Sequence, residues 1–180
     1  PEGFVVACVG KLEERKGQDV LVAALARLAG RRIDARLVLV GDGPARRELE
    51  DTARRLGVLE KVRFTGSITT VARELQAAHV LAVPSRIEGL PFTVLEGMAA
   101  GAAVVAYALP GLEEVIVPDT TGLLLPPGQP EAWAEALAGL ASDRTRLKRL
   151  GEAGRARFME RYTLRRMVDE TMALYDGALR

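Results

Sequence analysis

The sequence is poor in the residues that most often carry chemistry alone. It has one histidine, His79, and one cysteine, Cys8. A single cysteine cannot close an internal disulfide, and Cys8 lies in an apolar run, so it reads as a buried, inert thiol. His79 begins a strand, away from the edge where ligands bind, so it reads as structural. No Cys/His/Asp cluster has metal-ligand spacing. No G-x-S-x-G elbow is present, and Ser85 lacks a histidine on its own edge, which argues against a serine hydrolase. The G-x-x-x-x-G-K-[ST] phosphate loop is absent. No apolar run approaches the ~20 residues of a membrane span. Twenty-five basic and 24 acidic residues leave a net charge of +1, too small to argue for nucleic acid as a partner. No signal peptide is visible. The chain opens on Pro1 rather than Met, which suggests a processed chain or a piece of something longer.

At 180 residues, 48% apolar and 27% charged, the chain has the size and composition of one soluble globular domain. Short apolar runs alternate with helical patterns almost throughout. Strands are expected at 4–10, 34–43, 61–66, 79–85, 102–108 and 121–128. Helices are expected at 18–30, 45–58, 70–78 and about 91–101, with a helical turn at 112–116. From Glu131 onward the chain reads helical, broken near Ser142–Asp143 and near Thr163. Strands buried on both faces, each followed by a helix, predict an α/β fold: a Rossmann-like, doubly wound parallel sheet of about six strands with helices on both faces. Such sheets bind ligands beyond the carboxyl ends of their strands. The glycine-rich and polar oddities of this sequence all follow predicted strand ends.

Three of those segments bear on chemistry. "GKLEERKG" (10–17) leaves a strand and enters a helix. Gly10 permits close backbone approach, and Lys11 and Lys16 beside a helix N-terminus suit a phosphate or diphosphate. A solvated basic loop is the plainer reading. "GDGP" (41–44) tempts a dinucleotide reading, but the third glycine of that fingerprint falls on Arg46; a tight turn with Pro44 near the first helical position explains it. "RIEGLPFTVLEGMAAG" (86–101) places Glu88 before a helix and Glu96 more than a turn inside it. Gly89 and Leu90 form the approach and Pro91 suits the first turn. The free N–H groups of Phe92 and Thr93 then face an anion. A carboxylate accepts two hydroxyl hydrogen bonds, as a ribose or hexose would offer. Phosphate between two sugars describes a nucleotide sugar. An acidic first turn that merely favours the helix dipole is the alternative. The C-terminal helices carry eight arginines between Arg144 and Arg166. They read as a solvated face with Leu147, Leu150, Phe158 and Tyr162 packed inward; contact with an anionic membrane surface is the alternative.

The ordered set "GKLEERKG", "LVLVGDGP", "VRFTG", "VPSRIEGLPFTVLEGMAAG" and "TGLLLPPG" resembles the donor-binding half of retaining GT-B glycosyltransferases, family 4, the group 1 type. The resemblance spans nearly the whole chain, and the E-x7-E pair Glu88 and Glu96 is its most specific part. It implies that Lys11 and Lys16 bind the donor diphosphate and that Glu88 lies by the transferred sugar. Glu96 would bind the ribose, Gly89 to Thr93 would meet sugar and phosphates, and Ser67 and Ile68 would flank the base. It implies a hexosyltransferase using a nucleoside diphosphate sugar, with no metal required, acting in the cytoplasm or at the inner face of the membrane. It also implies that an N-terminal acceptor-binding domain belongs with this chain, and that the helix near 164–179 has lost its neighbour. Three positions depart from the family pattern: Lys11 stands for the usual arginine, Ala103 for a proline and Pro110 for a glycine. A nucleotide-sugar epimerase of the same fold and a non-catalytic nucleotide-binding module are the rival readings.

Overall fold

The computed structural model describes residues 3–89 and 92–178. Among these residues six strands are present: β1 (Phe4–Val9), β2 (Ala35–Val40), β3 (Val62–Gly66), β4 (Val80–Val83), β5 (Ala103–Tyr107) and β6 (Gly122–Leu125). They form one sheet in the order β3-β2-β1-β4-β5-β6, and every neighbouring pair is parallel. The chain starts in the middle of the sheet, winds outward to β3, then returns beside β1 and winds the other way. The fold expectation is met, including the strand number. The reversal leaves a crevice between the carboxyl ends of β1 and β4, the switch point where ligands bind in such sheets.

Among the described residues there are eight α-helices: α1 (Gln18–Gly30), α2 (Arg46–Arg55), α3 (Ala72–Ala77), α4 (Phe92–Ala100), α5 (Pro110–Glu113), α6 (Pro130–Ser142) and α7 (Arg144–Arg161), which pack about the sheet, and α8 (Leu164–Ala178), which is exposed. Strand alternation divides the core in two. Val6, Cys8, Val80, Ala82, Val105 and Tyr107 face one layer with α1, α2 and α6, around the fully buried Trp133. Ala7, Leu81, Val83, Val104 and Ala106 face the other, with Leu75 of α3, Val94 and Met98 of α4 and Leu112 of α5. Period-two alternation with both faces apolar is what a fully covered parallel sheet requires. α4 sits close because Gly97 lies over Leu81; a Cβ there would meet the leucine Cδ2 at 2.4 Å.

Helix ends follow local chemistry. α2 stops at Gly57, whose φ of 70° lets its N–H reach the Arg54 carbonyl while that of Val58 reaches Ala53; this is a Schellman close. The Asp143 side chain caps α7 by accepting from the Arg146 N–H at 2.8 Å. Starts differ from expectation by one or two residues, among them that of α3, at Ala72 rather than position 70. α2 begins at Arg46, with Pro44 in the turn before it, because Gly43 and Ala45 are already engaged with neighbouring backbone. α5 begins at Pro110, two residues early, since proline is pre-set for a first turn.

Leu147 and Leu150 are buried as expected, and Phe158 and Tyr162 are half-buried against the second layer. Several arginines of the C-terminal helices are engaged within the molecule: Arg146 with Asp119, Arg157 with the Val115 and Glu114 carbonyls, and Arg166 with Glu170. α8 leaves Leu164, Met167, Val168, Met172 and Tyr175 exposed along one stripe. Among the described residues no helix is long and apolar enough to cross a membrane.

Candidate functional site at the strand switch point

The loop after β1 is fixed before it carries any chemistry. The Gly10 N–H donates to the Val40 carbonyl at 2.9 Å and that of Leu12 to Asp42 at 3.0 Å; the Ala45 N–H returns to the Leu12 carbonyl at 3.0 Å. The Leu12 side chain is buried and anchors the loop from below. A 3₁₀ turn over Glu14–Lys16 ends at Gly17, which is left-handed at φ 69° and opens α1. That turn delivers the Lys16 ammonium to Glu88, Nζ to Oε1 at 2.5 Å, with side-chain exposures of 19% and 11%. Two residues 72 apart in sequence therefore form one nearly buried ion pair between the ends of β1 and β4.

Cys8 lies beneath this pair. Burial pushes its thiol up to about 12, with Lys16 pulling it down and Glu88 raising it further. The thiol stays protonated and takes no nucleophilic part at neutral pH.

The segment leaving β4 is held against the β1 loop. The Arg86 N–H donates to the Arg15 carbonyl at 2.8 Å. Its guanidinium reaches the Glu14 carbonyl and, at 3.1 Å, the Asp19 carboxylate. Buried Gln18 donates from Nε2 to the Lys11 carbonyl at 2.9 Å. Arg86, Asp19 and Gln18 were not assigned roles from sequence. Arg86 is separated from its partners by about 70 residues, so no local spacing announces the contact.

Lys11 behaves differently from Lys16. It stands at the rim, 61% exposed at the side chain, 3.3 Å from Glu13 Oε2. Burial would raise the Glu13 carboxyl, but the Lys11 hydrogen bond and the Arg15 and Lys11 charges outweigh it and hold it below its usual range. Glu96 opens onto a second part of the edge. It lines a groove of about 370 Å³ between α3 and α4 with Thr69, Thr70 and Gln76. That groove lies just beyond Ser67 and Ile68, which are exposed after the left-handed turn at Gly66. Gly89 and Phe92 are exposed and Thr93 is half-buried at the start of α4; Leu90 and Pro91 lie outside the described residues.

His79 keeps to the other end of the strands. Its Nδ1 accepts the Val5 N–H at 3.1 Å, which fixes that nitrogen as the unprotonated one. Burial, then the Arg144 charge, hold it below its ordinary value.

A doubly wound parallel sheet whose switch point brings a cation and a carboxylate together defines an α/β domain of the kind that binds ligands at its strand-end edge. The chain belongs to the glycosyl transferases group 1 family, whose profile matches residues 1–157. It is 39% identical over 161 residues to the GDP-mannose-dependent alpha-(1-6)-phosphatidylinositol monomannoside mannosyltransferase of Mycobacterium tuberculosis, covering 83% of this chain and 41% of that protein. Among solved structures, sucrose-phosphate synthase from Thermosynechococcus elongatus superposes with a TM-score of 0.90 at 31% identity, over 99% of this chain and 46% of that one. HepE of Anabaena in complex with UDP gives 0.90 at 24% identity, over 98% and 49%. The chain thus spans about two fifths of the length of the mannosyltransferase it matches.

Proposed function

We propose that this chain is the donor-binding domain of a retaining hexosyltransferase and holds a nucleoside diphosphate sugar across the β1–β4 switch point. The observation that carries the reading is the Lys16–Glu88 pair, placed where the fold predicts a ligand. Lys16 and the N-terminal N–H groups of α4 face the diphosphate, with Lys11 at the rim. Glu88 lies beside the transferred sugar. Glu96 and the groove beyond Ser67 and Ile68 take the ribose and base. GDP-mannose, used by the mycobacterial relative, and UDP, bound by HepE, share the diphosphate and ribose that these residues would grip.

Chemically, the bond between the anomeric carbon and the diphosphate oxygen breaks while a bond to an acceptor oxygen forms on the same face. The acceptor hydroxyl proton passes to the departing diphosphate oxygen, which lies on that same face. Lys16 and the helix N-terminus stabilise charge developing on the departing diphosphate. These fixed positive groups can do this without a divalent metal. Glu88 stabilises the positive charge on the sugar. The acceptor site and the remaining groups belong to an N-terminal domain outside this chain. We place the reaction in the cytoplasm, at the inner membrane face where the acceptor is a lipid.

The test is a thermal-shift panel of GDP, UDP, ADP and their hexose conjugates on this chain, without metal and then with magnesium. A dose-dependent rise in Tm with one nucleotide is expected, about 2.7 kcal/mol of added stability at a hundredfold excess over Kd. No shift with any nucleotide at millimolar concentration would overturn the reading. An epimerase would instead interconvert the free nucleotide sugar, which a coupled product assay reads directly.

A further inference from the structure

The segment that carries Glu88 is seated at both ends by glycines of other loops. At its start, a Cβ on Gly17 would lie 2.2 Å from the Pro84 carbonyl oxygen. At its far end, a Cβ on Gly111 would lie 1.9 Å from the Gly89 carbonyl oxygen and 2.7 Å from its carbon. Real Cβ atoms essentially never approach below 3.0 Å. Gly17 is left-handed and so has a second reason to be glycine. Gly111 has no positive φ; the need there is for space alone. Gly89 itself is open, with nothing within 4 Å of an added Cβ. The constraint is therefore on the α5 side of the contact.

The α5 turn cannot retreat easily. Leu112, Val115 and Ile116 are buried, and the Ile116 N–H returns to the Leu112 carbonyl at 2.8 Å. Arg157 of α7 holds the Val115 and Glu114 carbonyls from behind, at 2.8 and 3.0 Å. The opposing segment is the softer party, with Ile87 and Gly89 exposed. Any side chain at 111 would push the Gly89 backbone by about 1 Å, one residue from the carboxylate that meets Lys16.

We propose that Gly111 is a positioning residue of the donor site: its bare α-carbon lets the α5 turn abut the Gly89 carbonyl and so sets where Glu88 stands. This rests on the donor-site reading above. A displacement of about 1 Å at a reacting geometry costs on the order of 100-fold.

The experiment compares the wild-type chain with Gly111→Ala by calorimetric titration of GDP-mannose and UDP-glucose, whose hexose would meet Glu88, and by amide NMR. Gly111→Ala is expected to weaken nucleotide-sugar binding 10- to 100-fold and to displace the amide resonances of Lys16, Glu88 and Gly89, leaving those of β2 and α6 in place. Gly139→Ala, in open space on α6, is the control and should bind as wild type. A folded Gly111→Ala chain with wild-type affinity and unmoved Glu88 resonances would overturn the proposal. If Gly111→Ala does not fold, Arg157→Met takes its place: it releases the Val115 and Glu114 carbonyls that hold the α5 turn against Gly89. Binding weakened several-fold supports the proposal, and unchanged binding overturns it. A wild-type chain that binds neither nucleotide sugar defeats the donor reading alone; the Glu88 and Gly89 resonances still decide whether Gly111 sets their position.

Discussion

Replacing Lys16 with methionine keeps the stem of the side chain and removes its charge. The Glu88 carboxylate then remains, 11% exposed, with its partner gone. At 2.5 Å the gross attraction is about 6–7 kcal/mol for an effective dielectric near 20. Most of that is spent offsetting the desolvation of two nearly buried ions, so the net worth of the pair is far smaller. What the single substitution removes is the compensation of the surviving charge. Breaking a fully buried pair costs about 3–5 kcal/mol. Both side chains here retain some water, so we expect about 2 kcal/mol for Lys16→Met, or roughly a 4–8 °C fall in Tm for a chain of this size. Glu88→Gln should cost less, because the amide still accepts from the ammonium. The double variant should be more stable than the two separate losses imply, with a coupling of about 1–2 kcal/mol. Urea denaturation of the four chains gives the cycle. Losses that add to within about 0.5 kcal/mol would mean that the two groups do not interact, and the site as described would fall with the pair.

Glu96→Ala is expected to raise the donor Kd at least tenfold, about 1.4 kcal/mol, with little change in Tm because the side chain is exposed; unchanged affinity in calorimetry would remove the ribose role. His79 binds its proton less readily in the folded chain than unfolded, where its value is about 6.5. The unfolded state therefore takes up a proton first, and stability should fall as pH drops below about 6.5. His79→Gln should flatten that slope, and a parallel pair of stability–pH curves would contradict the assignment. Cys8, held protonated up to about 12 by burial, should resist a disulfide reagent at neutral pH and react only as fast as the chain opens. Rapid labelling of the native chain would show that the floor of the site is not closed.

Much of the architecture was legible in the residues. Runs such as FVVACV and AVVAY are short, β-branched and apolar on both alternating sets, so they had to be strands covered on both faces. Gly57, Asp143 and Pro130 mark helix ends through φ, capping and a missing donor, all of which act within a few residues. The strand-end position of Lys16, Glu88, Glu96, Ser67 and Ile68 follows from that alternation, because each residue trails a strand whose direction is common to the sheet.

Sequence by itself therefore determined the elements, their order, the parallel sheet and the edge where its polar loops gather, because those depend on periodicity and local backbone chemistry. Only the tertiary structure decided which of those loops touch. It paired Lys16 rather than Lys11 with Glu88, gave Glu96 a groove of its own beside Thr69 and Thr70, tied Arg86 to Asp19 and set Gly111 against Gly89. Each of those contacts joins residues from different βα units. Their distances depend on how the sheet twists and how the helices pack, and no spacing along the chain encodes them.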